Sequence, residues 1–288
     1  MFSDFSRRLI HESHRAKQKL IGTTKVAVDS RIPLITFYSE LSNWGDALNP
    51  VLVKHISGRD PVAVGDAYNF RGRPVYSVIG SILGETWTNL SNIEVWGSGF
   101  ISADRIFRTA PNKIHAVRGP LTRKLILAQG LPCPAVYGDP ALLYPRYYAP
   151  KVKREYDLGI VAHYFDRDNP WVRRATLETN VLNIDVLGGV KEFVDQMCRC
   201  RFVASSSLHG LIAADAYGIP FTWLSLSDRV IGHGFKFRDY LMSTGRHDVR
   251  PLQPSEQTSI REICDSAIDS KPAIDLDLLL QVCPFARL

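Results

Sequence analysis

A chain of 288 residues, 45% hydrophobic and 22% charged, has the length for one large domain or two ordinary ones. Its composition is that of a globular protein, which excludes the disordered and fibrous classes. The formal charge of +6 favours anionic partners such as phosphorylated substrates or acidic lipid surfaces. Nucleic acid ranks below these, because the Lys and Arg residues are dispersed and no nucleic-acid motif accompanies them.

The first twenty residues, "MFSDFSRRLIHESHRAKQKL", lack the apolar core of a signal peptide, and no apolar run reaches the roughly 20 residues that span a bilayer. Within a basic N-terminal segment, residues 1–30, Arg7, Arg8, Arg15, Lys17 and Lys19 mix with Leu9, Ile10, Leu20 and Ile21. This reads as a basic surface helix, either solvated or touching a membrane. "PLITFYS" then reads as a strand, "NWGD" as a loop and "ALNPVLVKHI" as a helix stopped by Gly58, with Pro50 in its first turns. "VYSVIGS", "IEVWGSG" and "KIHAV" are buried strands. A helix with Pro120 at its start and Gly130 past its end follows, then a strand in "PAVYGDP". "YPRYYAPKVKREY", residues 144–156, reads as a linker between domains at 31–148 and 155–250. Beyond it come strands in "DLGIVAHY" and "NIDVL", the helix "VKEFVDQMCR", the strand "RFVAS" and the helix "LHGLIAADAYG". The strand "PFTWLSL" and the helix "FKFRDYLMSTG" complete that half, and a helical tail, 251–288, is placed to pack back across the first. Cys133, Cys198, Cys200, Cys264 and Cys283 are odd in number and scattered, as expected of reduced thiols in a cytoplasmic protein.

Strands alternating with helices imply an α/β fold: two Rossmann-like domains with parallel sheets, facing each other over a cleft, with ligands beyond the carboxyl ends of the strands. The polar residues at those ends are the site candidates. In the first half they are Asn43, Gly45 and Asp46, then Gly97, Ser98 and Gly99, then Arg118, then Gly138 and Asp139. In the second half they are Ser205, Ser206, Ser207 and His209. With Ser207 as N-cap, His209 falls in the first turn of a helix, at the positive end of its dipole, where phosphate or carboxylate is attracted. The alternative is an ordinary first-turn histidine bonded to a backbone carbonyl. Arg118, before a proline-initiated helix, offers a planar fork to an anion or pairs with a nearby carboxylate. Lys236, between Phe235 and Phe237, either faces a ligand or snorkels to solvent. Asp46 and Asp139 suit hydroxyl activation, sugar binding or helix capping. No P-loop, nucleophile-elbow or zincin motif and no metal-ligand spacing is present, so no metal site is expected.

In order and spacing, "NWGDALNP", "VWGSGF", "VRGPLTRKLI", "YGDPALLYP", "SSSLHGLIAADAYGIP" and "FKFRDY" resemble the polysaccharide pyruvyl transferase family across roughly residues 34 to 245. Within it they look most like the bacterial exopolysaccharide branch of the succinoglycan and xanthan type. The resemblance implies a GT-B-like domain pair with an acceptor side in the first domain and a donor side in the second. It also implies phosphoenolpyruvate as donor, no further cofactor, and a lipid-linked oligosaccharide acceptor at the cytoplasmic face of the inner membrane. The family's functional arginine, histidine and lysine match Arg118, His209 and Lys236 as catalytic residues, with Ser206, Ser207, Gly210 and Arg229 on the donor side. Asn43, Asp46, Gly97, Ser98 and Asp139 would line the acceptor side or the cleft. Ser207 stands where some relatives have arginine, and the stretch "SDRVIGHG" before Lys236 is longer than theirs, which makes Arg229 the rival of that lysine. A nucleotide-sugar glycosyltransferase of GT-B type and an inactive carbohydrate-binding homologue are the competing readings.

Overall fold

The computed structural model describes residues 16–36, 43–68 and 72–287. Residues 16–28 form a helix, α1, which covers the later part of the expected basic segment; Arg7, Arg8, Leu9, Ile10 and Arg15 lie outside the described residues. No helix among the described residues is long and apolar enough to cross a membrane.

Two parallel sheets organise the chain. The first runs in the order β2 (Val62–Ala63), β1 (Leu34–Thr36), β3 (Val75–Ser77), β4 (Ile93–Trp96), β5 (Lys113–Ala116). The second runs β7 (Val181–Asn183), β6 (Tyr156–Val161), β8 (Cys200–Ser205), β9 (Phe221–Trp223). Every strand pairing in both sheets is parallel. Parallel pairing requires a crossover between successive strands; the expected helices supply those of β1–β2, β7–β8 and β8–β9. An unexpected helix at Pro170–Ala175 supplies that of β6–β7, and β3–β4 and β4–β5 are joined without an α-helix.

Helix α2 (Trp44–Ser57) begins where the Asn43 side chain accepts the Gly45 and Asp46 N–H groups. It ends at Gly58, whose φ of 68° lets its N–H return to the Lys54 carbonyl. Pro50 sits in the interior of this helix rather than its first turn, so no backbone donor faces the Asp46 carbonyl. Helices α3 (Pro120–Ala128), α4 (Pro170–Ala175) and α5 (Val190–Cys198) follow. In α6 (Leu208–Ala216), Leu208, Leu211, Ile212, Ala213 and Ala214 are all buried. Apolar on every side, it is wedged between β8 and a 3-10 helix, Pro140–Arg146. Helices α7 (Phe235–Ser243), α8 (Ile260–Asp265) and α9 (Leu276–Gln281) complete the order.

Several segments differ from the sequence expectation. The strand sought in "NIDVL" lies at Val181–Asn183, and "PAVYGDP" contributes one bridge, Val117 to Tyr137, before the 3-10 helix takes over. The proposed linker starts inside that helix: Tyr144 is fully buried, edge-on to Trp44 and stacked on Tyr148. Its aromatic rings outweigh the prolines that suggested a solvated connection. The C-terminal tail does return to the first sheet. The Trp96 indole N–H donates to the Leu279 carbonyl at 2.8 Å, and Phe285 packs on Tyr76 and Trp96.

Candidate active site

A cavity of about 230 Å³ opens where the carboxyl ends of both sheets converge. Asn43 and Asp46 reach it from the start of α2, Ser81 from the segment after β3, and His163 from the end of β6. Ser207 and His209 reach it from the start of α6, and Lys236 from the first turn of α7. Five loops distant in sequence therefore meet at one place, as the topology of parallel sheets dictates.

Each residue of "NWGD" has a separate task here. The Asn43 carbonyl Oδ1 caps α2 and also accepts from His209 Nδ1 at 2.7 Å, while its amide donates to Asp46. Trp44 ties the two sheets together: its backbone N–H donates to the Val186 carbonyl at 2.7 Å, its indole N–H donates to the Val190 carbonyl, and its ring stacks on Phe193. Gly45 lies under the His209 ring, where an added Cβ would sit 2.3 Å from the imidazole. Asp46 carries its carboxyl into the cavity. Gly45→Ala is expected to cut activity at least about tenfold by displacing the imidazole. The melting temperature should fall by a few degrees at most, because overpacking a buried ring costs about 1–3 kcal/mol and alanine's helix preference offsets only part of it. Paired turnover and thermal-melting measurements check this, and unchanged turnover would contradict it.

The polarity of His209 follows from its neighbour. Because Asn43 Oδ1 is an acceptor, Nδ1 carries the proton and Nε2 presents a lone pair. Burial, then the charges of Lys236, Arg118 and His163, push the imidazole down to about 3. Burial pushes the Asp46 carboxyl up to about 7, against the Asn43 hydrogen bond and the Lys236 charge. Burial, then Arg118, lowers Lys236 to about 8, with Asp46 opposing. Lys236 is 9% exposed and lines the cavity, so it does not snorkel to solvent. Among the described residues its ammonium has no hydrogen bond or ion pair; its neighbour is the Phe237 ring. Desolvated groups that wait for a charged partner are the pattern of a functional site.

Arg118 is placed differently. It is fully buried behind the cavity wall, with Nε donating to Asp239 at 3.0 Å, one terminal nitrogen to the Phe100 carbonyl and the other to Ser81 Oγ. Its fork therefore faces the Asp239 carboxylate, and it reaches the cavity through Ser81. Asp239 also accepts from the Thr122 backbone and hydroxyl in the first turn of α3. Gly119 lets α7 come this close, since a Cβ there would lie 1.9 Å from the Asp239 carbonyl. The "VRGP" and "FKFRDY" segments thus interlock.

The other candidates divide. Ser207 lines the cavity and precedes α6, but its side chain makes no capping bond; its N–H is held by Ser205 Oγ. Ser206 is committed to Asp166 and the His163 N–H. Gly210 packs on Ser205, and Arg229 is exposed outside the cavity, so Lys236 is the cation delivered there. Gly97 lies against Pro140 and Ser98 bonds to Ser77, both behind the site. Asp139 caps the 3-10 helix by accepting from Ala141; it does not line the cavity. Sequence reading missed His163, Ser81 and Asp239. His163 carried a usable signal, as the polar residue just past an apolar strand.

Residues 92–228 match the family model described as polysaccharide pyruvyl transferase. An uncharacterised protein of Acanthamoeba polyphaga mimivirus is 28% identical over 218 residues, covering 73% of this chain and 74% of that one. A solved structure of a functionally uncharacterised Klebsiella pneumoniae protein aligns with 81% of this chain and 97% of its own, at 11% identity and a TM-score of 0.44.

Proposed function

We propose, from the premise that the chain belongs to the polysaccharide pyruvyl transferase family across residues 92–228, that it moves pyruvate from phosphoenolpyruvate onto a sugar as a ketal. The acceptor is a lipid-linked exopolysaccharide repeat unit met at the cytoplasmic membrane face, and phosphate is released. The two sheets are read as a GT-B-like pair, with donor contacts from the second and acceptor contacts from the first. One observation carries this reading: a desolvated lysine and the N-terminus of α6 share a cavity with a neutral histidine and a carboxyl pushed up to about 7. A cation and a helix N-terminus suit a donor with phosphate and carboxylate, and the other two groups suit proton transfer.

The chemistry needs one proton moved onto carbon and two taken from hydroxyls. The first sugar hydroxyl adds across the C2–C3 double bond in one concerted step: C3 takes a proton from the Asp46 carboxyl, positive charge grows at C2, and the hydroxyl oxygen bonds there as His209 Nε2 accepts its proton. The imidazolium proton then returns to Asp46. The C2–O bond to phosphate breaks with its electrons leaving on phosphate. A second hydroxyl closes the ketal, and its proton leaves with the inorganic phosphate. Lys236 stabilises the leaving dianion. Arg118, through Ser81, strengthens the same electropositive wall.

Incubating the protein with phosphoenolpyruvate and the oligosaccharide acceptor should release phosphate and add a pyruvate ketal to the acceptor mass. Turnover with a nucleotide sugar instead would overturn the reading. Donor binding is also expected to take up protons. A bound anion raises the ionisation ranges of Asp46, Lys236 and His209 together, so between their free and bound values each gains proton occupancy. At about pH 7.5 the donor phosphate is already ionised. Calorimetry in buffers of different ionisation enthalpy should therefore report net uptake, and net release would mean the anion sits elsewhere.

A further inference from the structure

A second imidazole faces the cavity with the opposite polarity to His209. His163 stands just past β6, and its backbone N–H donates to Ser206 Oγ at 2.9 Å. That hydroxyl donates to Asp166 at 2.8 Å, and Asp166 is fully buried and also takes the Ser227 hydroxyl. The network bolts the end of β6 to the end of β8 and fixes where His163 stands. In the ring, Nδ1 accepts the Phe165 backbone N–H at 3.3 Å, so the proton of the neutral imidazole resides on Nε2. His163 lines the cavity, and Nε2 has no hydrogen-bond partner among the described residues. Burial and then the Lys236 charge push this imidazole down to about 4, which keeps it neutral and places it in the field of that lysine.

The two histidines are therefore not interchangeable. His209 presents a lone pair fixed by Asn43, and His163 presents an N–H fixed by the Phe165 amide. We propose that His163 is a donor-binding residue whose Nε2–H hydrogen-bonds the phosphoryl group of phosphoenolpyruvate beside Lys236, leaving His209 Nε2 to the sugar hydroxyl. This rests on the reading of the site given above. A phosphoryl group takes hydrogen-bond donors and is repelled by a lone pair, so it falls to the N–H of His163 rather than to Nε2 of His209. Lys236 and the start of α6 line the same cavity.

Two isosteric substitutions separate this role from a structural one. Glutamine places an amide N–H where Nε2 stands, and asparagine places a polar group where Nδ1 stands. With the full chain, calorimetric titration of phosphoenolpyruvate and of inorganic phosphate should show His163→Asn and His163→Ala weakened about tenfold, and His163→Gln within about threefold of wild type. A role limited to holding the Phe165 amide predicts the reverse order, with asparagine tolerated and glutamine not. That order, or unchanged binding in all three variants with native-like melting, would overturn the proposal. Wild-type protein that binds neither probe would overturn the pyruvyl-transfer reading itself, an outcome distinct from any ranking of the variants.

Discussion

His209→Ala is expected to reduce phosphate release from phosphoenolpyruvate in the presence of acceptor by about 10²- to 10⁴-fold, the range for loss of a positioned acid–base group. The imidazole is buried over Gly45 and aligned by Asn43 Oδ1, so its lone pair has one direction to face. Stability should change little, because Asn43 Oδ1 still accepts the Gly45 and Asp46 N–H groups after the ring is gone. Asn43→Asp sharpens the test. Aspartate caps α2 as well as asparagine does, and its charge favours the imidazolium and so raises the His209 ionisation range; it also loses the amide that donates to Asp46 and faces that carboxyl with a like charge. The acidic limb of the pH–rate profile should then move to higher pH, with some loss of melting temperature. Phosphate release unchanged in a folded His209→Ala protein would remove the imidazole from the proton path.

How much of this was legible in the chain depends on what a residue's neighbours must supply. Apolar runs ending in Gly or Ser reveal the strands, because a strand buried on both faces needs little else. The boundary of α6 at Leu208 was readable from Ser207 as the N-cap, although the Ser207 side chain makes no capping bond. Position at a strand's carboxyl end was readable too, and Asn43, Asp46, Ser207 and His209 all reach the cavity, as does Lys236, which its aromatic flanks and the family resemblance had singled out. Depth was not readable. Gly97, Ser98, Arg118 and Asp139 stand at equivalent positions, yet they face Pro140, Ser77, Asp239 and the Ala141 amide. Whether such a residue meets solvent or another element depends on how α3, α7 and the tail pack, which is long-range information. His163 was hidden because "DLGIVAHY" reads as one continuous strand, whereas the strand closes at Val161.

Asp239→Ala is expected to be among the most damaging single changes, costing about 3–5 kcal/mol because it leaves the fully buried Arg118 guanidinium without its counter-charge. It also strips the Thr122 backbone N–H of its partner in the first turn of α3. For a chain of this size, the melting temperature should fall by roughly 10 °C. Replacing both partners with apolar residues, Arg118→Met with Asp239→Leu, should recover part of that loss, because an absent pair costs less than a broken one. The same variants decide what Arg118 does for the reaction. Beyond its charge, its hydrogen-bonded route to the cavity among the described residues runs through Ser81 Oγ. If that route matters, the double variant should melt above Asp239→Ala and still bind phosphoenolpyruvate more weakly than wild type. Wild-type donor affinity in it would reduce the arginine to a brace between α3 and α7. A single Asp239→Ala protein that melts like wild type would deny it even that.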